Sequence, residues 1–137
     1  MAKKQKRGMS IPSRSTRPGV PEAVKTEVTT KANELIESVL KPLHIKPPPE
    51  NPQFNYIIDI YGKWYQRYFY FCATYRVPGP NAIMPSFEAK FARMEYAGNH
   101  RFHLSFMRHT GQWVELSTGL SLDECLAAIR EEPFFFS

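Results

Sequence analysis

The stretch that decides the fold lies at residues 54–76 and reads FNYIIDIYGKWYQRYFYFCATYR. Aromatic and β-branched residues are typical of strands, and here they alternate with polar residues from Phe54 to Ile60. Tyr61-Gly62-Lys63 has the composition of a hairpin turn, which leads into a second strand predicted from Trp64 to Arg76. The stretch therefore predicts two long antiparallel strands in the middle of the chain.

Three further strands are predicted on the C-terminal side of this pair. Apolar and polar residues alternate at 87–91 and at 102–106, and a shorter strand runs from 113 to 117. Polar turn residues separate these strands at 97–100 and 109–112. The sequence thus predicts a meander of about five antiparallel strands.

Helices are predicted at both ends of the meander. Apolar residues recur at helical spacing from about residue 21 to 41, where Pro42 should stop the helix. Ser121-Leu122-Asp123-Glu124 is a capping box, which marks the start of a C-terminal helix. The predicted order is α-β-β-β-β-β-α, an α+β fold with both helices on one face of the sheet and the other face wet.

Positive charge is concentrated at the N-terminus. The chain carries a formal net charge of +5, but its first twenty residues hold six basic side chains and no acid, so the remainder sums to −1. This composition predicts a disordered basic tail over residues 1–20, followed by one domain over 21–137. An organelle-targeting segment is the alternative, but the tail lacks an amphipathic apolar stripe. The basic residues of the tail are Lys3, Lys4, Lys6, Arg7, Arg14 and Arg17.

Several classes of protein receive no support from the sequence. Cys72 and Cys125 lie in apolar periodic segments without a CxxC spacing, which favours a reducing, cytoplasmic location. No apolar run approaches the roughly eighteen residues of a membrane span, so no membrane insertion is predicted. Glycine-rich phosphate loops and GxSxG are absent, and the histidines at 100, 103 and 109 lack further ligands. We therefore predict no cofactor and no metal, and the sequence leans against an enzyme.

The segment from Lys63 to Tyr70 interleaves aromatic and basic side chains. On one continuous strand Tyr65, Arg67 and Phe69 would share a face, and such a face can stack bases and hold phosphates. We predict these three as nucleic-acid contacts, with Arg101, His103 and Lys90 extending the cationic surface if the neighbouring strands align. The alternative interpretation is a central strand with aromatic residues packed on both faces and basic side chains reaching out to solvent.

Non-catalytic association with RNA or DNA is the predicted function, with the basic tail supplying electrostatic affinity. A second hypothesis is a protein-interaction or homodimerisation module that uses the aromatic strand and the phenylalanines at 134–136. A third is a small enzyme whose site the fold assembles from distant residues. Its candidate residues are Glu88, Glu95, His103 and Arg101.

The order and spacing of several segments also resemble a known family. They are a helix at Asn33 to Leu40, prolines at Pro47 to Pro49, a strand pair, a strand opened by Ala89-Lys90-Phe91, Trp113 after a polar turn, and an acidic helix before Phe134 to Phe136. This layout resembles the bacterial family called domain of unknown function 3024 over about residues 33–137. One departure lies at 104–106, where a second tryptophan is expected. The resemblance implies a domain, and it brings no activity, substrate or site residue.

Overall fold

The computed structural model describes residues 19–48, 50, 54–79 and 84–131. The basic residues of the tail and Phe134 to Phe136 lie outside these ranges. The first helix, α1, spans Glu22–Leu35 and continues through a π-helical turn at Ile36–Leu40 into a short helix, α2, at Lys41–His44. The remaining elements are β1 Tyr56–Tyr65, β2 Tyr68–Arg76, β3 Ser86–Gly98, β4 Arg101–Met107, β5 Trp113–Leu120 and α3 Leu122–Glu131. The predicted order α-β-β-β-β-β-α is confirmed.

The five strands form one sheet in the order β1-β2-β3-β4-β5, with every neighbouring pair antiparallel. Helices α1 and α3 both contribute to a single buried cluster with the inward side chains of the sheet, so both cover the same face as predicted. Members of this buried cluster include Val28, Ala32, Leu40, Phe69, Phe71, Met94, Leu104, Cys125 and Ile129. Among the described elements, no helix covers the opposite side, which we call the open face. None of the described helices is long and apolar enough to cross a bilayer.

The N-terminal helix does not stop at Pro42, so that prediction is wrong. The π-helical turn ends where the Lys41 N–H donates to the Ile36 carbonyl, and Pro42 then occupies the first turn of α2. Proline lacks an N–H and its ring crowds the carbonyl of the preceding turn, and the helix here changes to a π-helical turn directly before it. The chain therefore stays helical to His44 and leaves the helix at Ile45, whose backbone is extended.

The hairpin between β1 and β2 also differs from the prediction. Its two-residue turn is Gln66-Arg67, with Gln66 at a φ of 55°, whereas Gly62 lies inside β1. Gly62 is needed there because an added Cβ would lie 2.3 Å from Cζ of Phe69. The single strand predicted from Trp64 to Arg76 is therefore wrong, and the side chains after the turn face opposite to the expected direction.

The capping box at the start of α3 is confirmed. The Ser121 N–H donates to Oε1 of Glu124 at 2.8 Å, and the Glu124 N–H donates to Oγ of Ser121 at 3.1 Å. Leu122, Cys125 and Ile129 then bury one face of the helix against the sheet. The cap thus fixes where the apolar face of α3 begins.

Replacing Ser121 with alanine should lower the free energy of unfolding by about 1 kcal/mol, because the Glu124 N–H loses its side-chain acceptor. Urea denaturation measures the change, and Ser121→Asp is the control because it keeps an acceptor at the cap and should stay within a few tenths of a kcal/mol of the wild type. Equal losses in the two variants would contradict a stabilising cap.

Candidate functional site

Four aromatic side chains gather on the open face. Tyr65 is the last residue of β1 and pairs across the hairpin with Tyr68, while Tyr70 lies two residues further along β2. The ring centroids of Tyr68 and Tyr70 are 5.8 Å apart. Trp113 lies on β5, with β3 and β4 between it and β2, and its ring centroid is 5.9 Å from that of Tyr70. The fold therefore brings rings from three strands together on the side that the helices leave uncovered.

Two cations from β3 are interleaved with these rings. The guanidinium carbon of Arg93 lies 4.8 Å from the ring centroid of Tyr68 and 4.6 Å from that of Trp113. Nζ of Lys90 lies 5.7 Å from the ring centroid of Tyr70. Cations at such distances are attracted to the negative faces of aromatic rings, so these contacts hold the cluster in a defined arrangement.

A charged cluster lies beside the rings, centred on the carboxylate of Glu88. Lys63 Nζ lies 3.0 Å from both carboxylate oxygens, Lys90 Nζ lies 3.3 Å from Oε1, and the Tyr61 hydroxyl donates to Oε2. The bonds from Tyr61 and Lys63 hold the pKa of Glu88 at about 2. Burial and the same carboxylate raise the pKa of Tyr61 to about 12. At neutral pH the cluster therefore contains one carboxylate, two ammonium groups and a neutral phenol.

A groove connects the charged cluster to the rings. Its volume is about 390 Å³, and it is lined by Lys63, Trp64, Tyr65, Tyr70 and Lys90. Tyr65 is 61 % exposed, so its ring is available to a ligand. The groove thus has aromatic and cationic walls, which can accept a flat ring next to an anion.

Tyr65 lies on the open face as predicted, but Phe69 does not. Phe69 is 1 % exposed and packs against Trp64 and Phe71 in the core, so its predicted role as an exposed stacking residue is wrong. The cause is the turn at Gln66-Arg67, which reverses the facing of every residue on β2. Tyr70 occupies the outward position that was expected of Phe69.

Arg67 is part of the hairpin turn, and its predicted place on an open strand face is wrong. Its Nη2 donates to the Tyr96 carbonyl at 2.8 Å, its own carbonyl accepts the Tyr96 N–H at 2.9 Å, and its guanidinium lies 5.6 Å from the Tyr96 ring. These contacts anchor the turn to β3. The Arg67 side chain is therefore engaged in holding the hairpin.

Arg101 lies beside the start of α3, apart from the rings. One of its terminal nitrogens, Nη1, is 3.9 Å from Oε1 of Glu124 and 3.5 Å from the Gly119 carbonyl. The neighbouring strands do bring Lys90 to the aromatic cluster, but they do not bring Arg101 with it. The cationic surface beside the rings is thus made by Lys90, which was expected there, and by Arg93, which was not.

Of the four residues named for an enzyme site, Glu95, His103 and Arg101 lie near one another, whereas Glu88 lies apart. Glu95 and His103 are register partners on β3 and β4, and Nδ1 of His103 accepts the Gly119 N–H at 3.2 Å. Glu88 lies seven residues from Glu95 on the same strand, which is roughly 20 Å. The fold therefore does not bring Glu88 to the other three side chains, and the four do not form one site.

Sequence reasoning missed Tyr68, Tyr70, Arg93 and Trp113 as members of one site. The signal for the two tyrosines is the alternation Tyr68-Phe69-Tyr70-Phe71. A tyrosine hydroxyl favours the solvent-exposed face of a sheet, and a phenylalanine ring favours the face that packs on the core. Arg93 and Trp113 carry no comparable local signal. Their positions depend on the pairing of β3, β4 and β5.

These features define a small α+β protein with a five-stranded meander, one helix-covered face and one open face rich in aromatic and cationic residues. Residues 20–137 match the family described as Domain of unknown function (DUF3024), and the chain belongs to that family. The match begins earlier than the resemblance at about residue 33 and includes all of α1. No curated protein and no solved structure matches the chain.

Proposed function

We propose that this protein binds nucleic acid without catalysis, with the open face holding a single strand and the basic tail adding electrostatic affinity. The observation that carries the proposal is the cluster of Tyr65, Tyr68, Tyr70 and Trp113 interleaved with Lys90 and Arg93 on an uncovered antiparallel sheet. Single-strand binders combine such rings, on which bases stack, with cations that follow the phosphate backbone.

The charges of the open face explain why a tail would be needed. Lys63, Lys90 and Arg93 are offset there by the carboxylates of Glu88 and Glu95. Stacking gives affinity that tolerates any base, whereas long-range attraction to phosphates needs an excess of positive charge. We assign that attraction to the six basic residues of the tail.

The first test is Tyr70→Leu in the full chain, measured by fluorescence anisotropy with a short single-stranded RNA. Leucine keeps apolar bulk but removes the flat ring, so we expect binding about 10- to 100-fold weaker, as for the loss of one stacked base. The control is Tyr75→Leu, the same change on the same strand, at a tyrosine stacked on Phe87 with its ring centroid at 5.3 Å. Equal affinities in the two variants, or no RNA binding by the wild type, would contradict the proposal.

A second candidate function is a protein-interaction or homodimerisation module. Two observations favour it. In the described sheet, β1 and β5 are edge strands, and both Phe54 and Met84 are more than half exposed. Light scattering across a concentration series tests it, because a homodimer requires the mass to rise towards twice that of the chain.

A further inference from the structure

We propose that Tyr61, Lys63 and Lys90 form a phosphate subsite that the carboxylate of Glu88 fills in the free protein, and that a phosphate of the bound strand displaces it. The inference rests on the proposed function and specifies where one phosphate contacts the open face. It also assigns Glu88 a role, as an internal competitor of the ligand.

The geometry of the cluster is that of an anion site. Tyr61 and Lys63 reach from β1 across β2 to the carboxylate of Glu88 on β3. Lys90 approaches the same carboxylate from its own strand, so three donors point at one anion. Both oxygens of Glu88 accept from Lys63 at 3.0 Å, and Oε1 also accepts from Lys90 at 3.3 Å. Phosphate oxygens accept the same charge-assisted hydrogen bonds as a carboxylate.

The subsite is continuous with the groove in which a base would lie. Lys63 and Lys90 line that groove together with Tyr65 and Tyr70. Lys90 Nζ is 5.7 Å from the ring centroid of Tyr70, so a phosphate held by the lysine has an aromatic ring beside it. The arrangement therefore fits a nucleotide unit better than a free anion.

Displacement of Glu88 is feasible because the cluster is open to solvent. The side chains of Lys63, Lys90 and Glu88 are 44 %, 39 % and 31 % exposed. Ion pairs that are exposed to this degree contribute little to folding, so their exchange for a ligand leaves the fold intact. With its pKa at about 2, Glu88 stays charged throughout the physiological pH range, so an anion and not a proton must release the lysines.

The test compares Glu88→Gln with Glu115→Gln in the full chain. Both variants lose one negative charge. Glu115 lies on β5, where it pairs with Ser105 of β4, and β4 separates it from the strand of Lys90. The loss of one negative charge changes the electrostatic attraction of RNA alike in both variants. Only Glu88→Gln also removes the carboxylate that competes with phosphate for Lys63 and Lys90. We expect Glu88→Gln to bind single-stranded RNA about tenfold more tightly than Glu115→Gln, with a salt slope steeper by about 0.7 for one added phosphate contact.

A titration with inorganic phosphate, followed through the NMR signals of the Lys63 and Lys90 ammonium groups, separates the two proposals. If the wild type binds RNA but the two variants bind it equally, the subsite is wrong and the proposed function stands. If none of the three chains binds RNA, the proposed function is wrong, and the phosphate titration decides the subsite. Larger shifts in Glu88→Gln than in Glu115→Gln then support an anion site, and equal shifts overturn it.

Discussion

Replacement of Phe69 by alanine should lower the free energy of unfolding by about 3–5 kcal/mol, the range for a fully buried phenylalanine. Phe69 is 1 % exposed, and its ring lies 5.4 Å from that of Trp64 and 5.3 Å from that of Phe71. The ring also lies against Gly62, whose missing Cβ leaves the space that the ring fills. Little can collapse into the resulting cavity, so the loss should be large.

Urea denaturation measures this loss, and Tyr70→Ala is the matched control on the adjacent residue. Tyr70 is half-buried on the open face, so its truncation should cost about 1 kcal/mol, as for a typical substitution outside the core. Comparing the two variants tests which side chains of β2 point into the core. One continuous strand would place Phe69 on the open face and Tyr70 in the core. A larger loss from Tyr70→Ala than from Phe69→Ala would restore that earlier interpretation.

The order of the elements could be predicted because its signals are local. Alternation at 102–106 depends only on neighbouring residues, and the capping box of Ser121 and Glu124 lies within one helical turn. The first hairpin could not be placed in this way. Gln66 adopts a φ of 55° without being glycine or asparagine, while Gly62 provides room for Phe69 and thereby imitates a turn signal.

The candidate site was predicted only in part, because its composition is local but its assembly is not. Tyr65 is placed on the open face by its own strand, and the aromatic and basic character of the segment is visible in the sequence. Arg93 joins Tyr68 and Trp113 only through the registers of three successive strand pairs. Successive residues of a strand point to opposite faces. The misplaced hairpin turn therefore put Phe69 on the open face in the prediction, where the structure has Tyr70.

Neutralising the basic tail should have the largest effect on binding. We expect the full chain with all six basic tail residues replaced by glutamine to bind single-stranded RNA about 100-fold more weakly at low ionic strength. Its salt slope should flatten by about 4, because each phosphate neutralised contributes roughly 0.7 on a single strand. Anisotropy titrations over a salt series measure both quantities. The substituted residues are Lys3, Lys4, Lys6, Arg7, Arg14 and Arg17.

Tyr70→Leu is the natural control for this experiment, because it removes a ring and leaves every charge in place. It should keep the salt slope of the wild type but show a weaker preference for a single strand over a duplex, since bases can stack on Tyr70 only when they are unpaired. The tail variant should keep that preference at reduced affinity. If the tail variant instead retains the wild-type slope, the phosphates are neutralised by Lys63, Lys90 and Arg93, and the open face alone is the nucleic-acid interface.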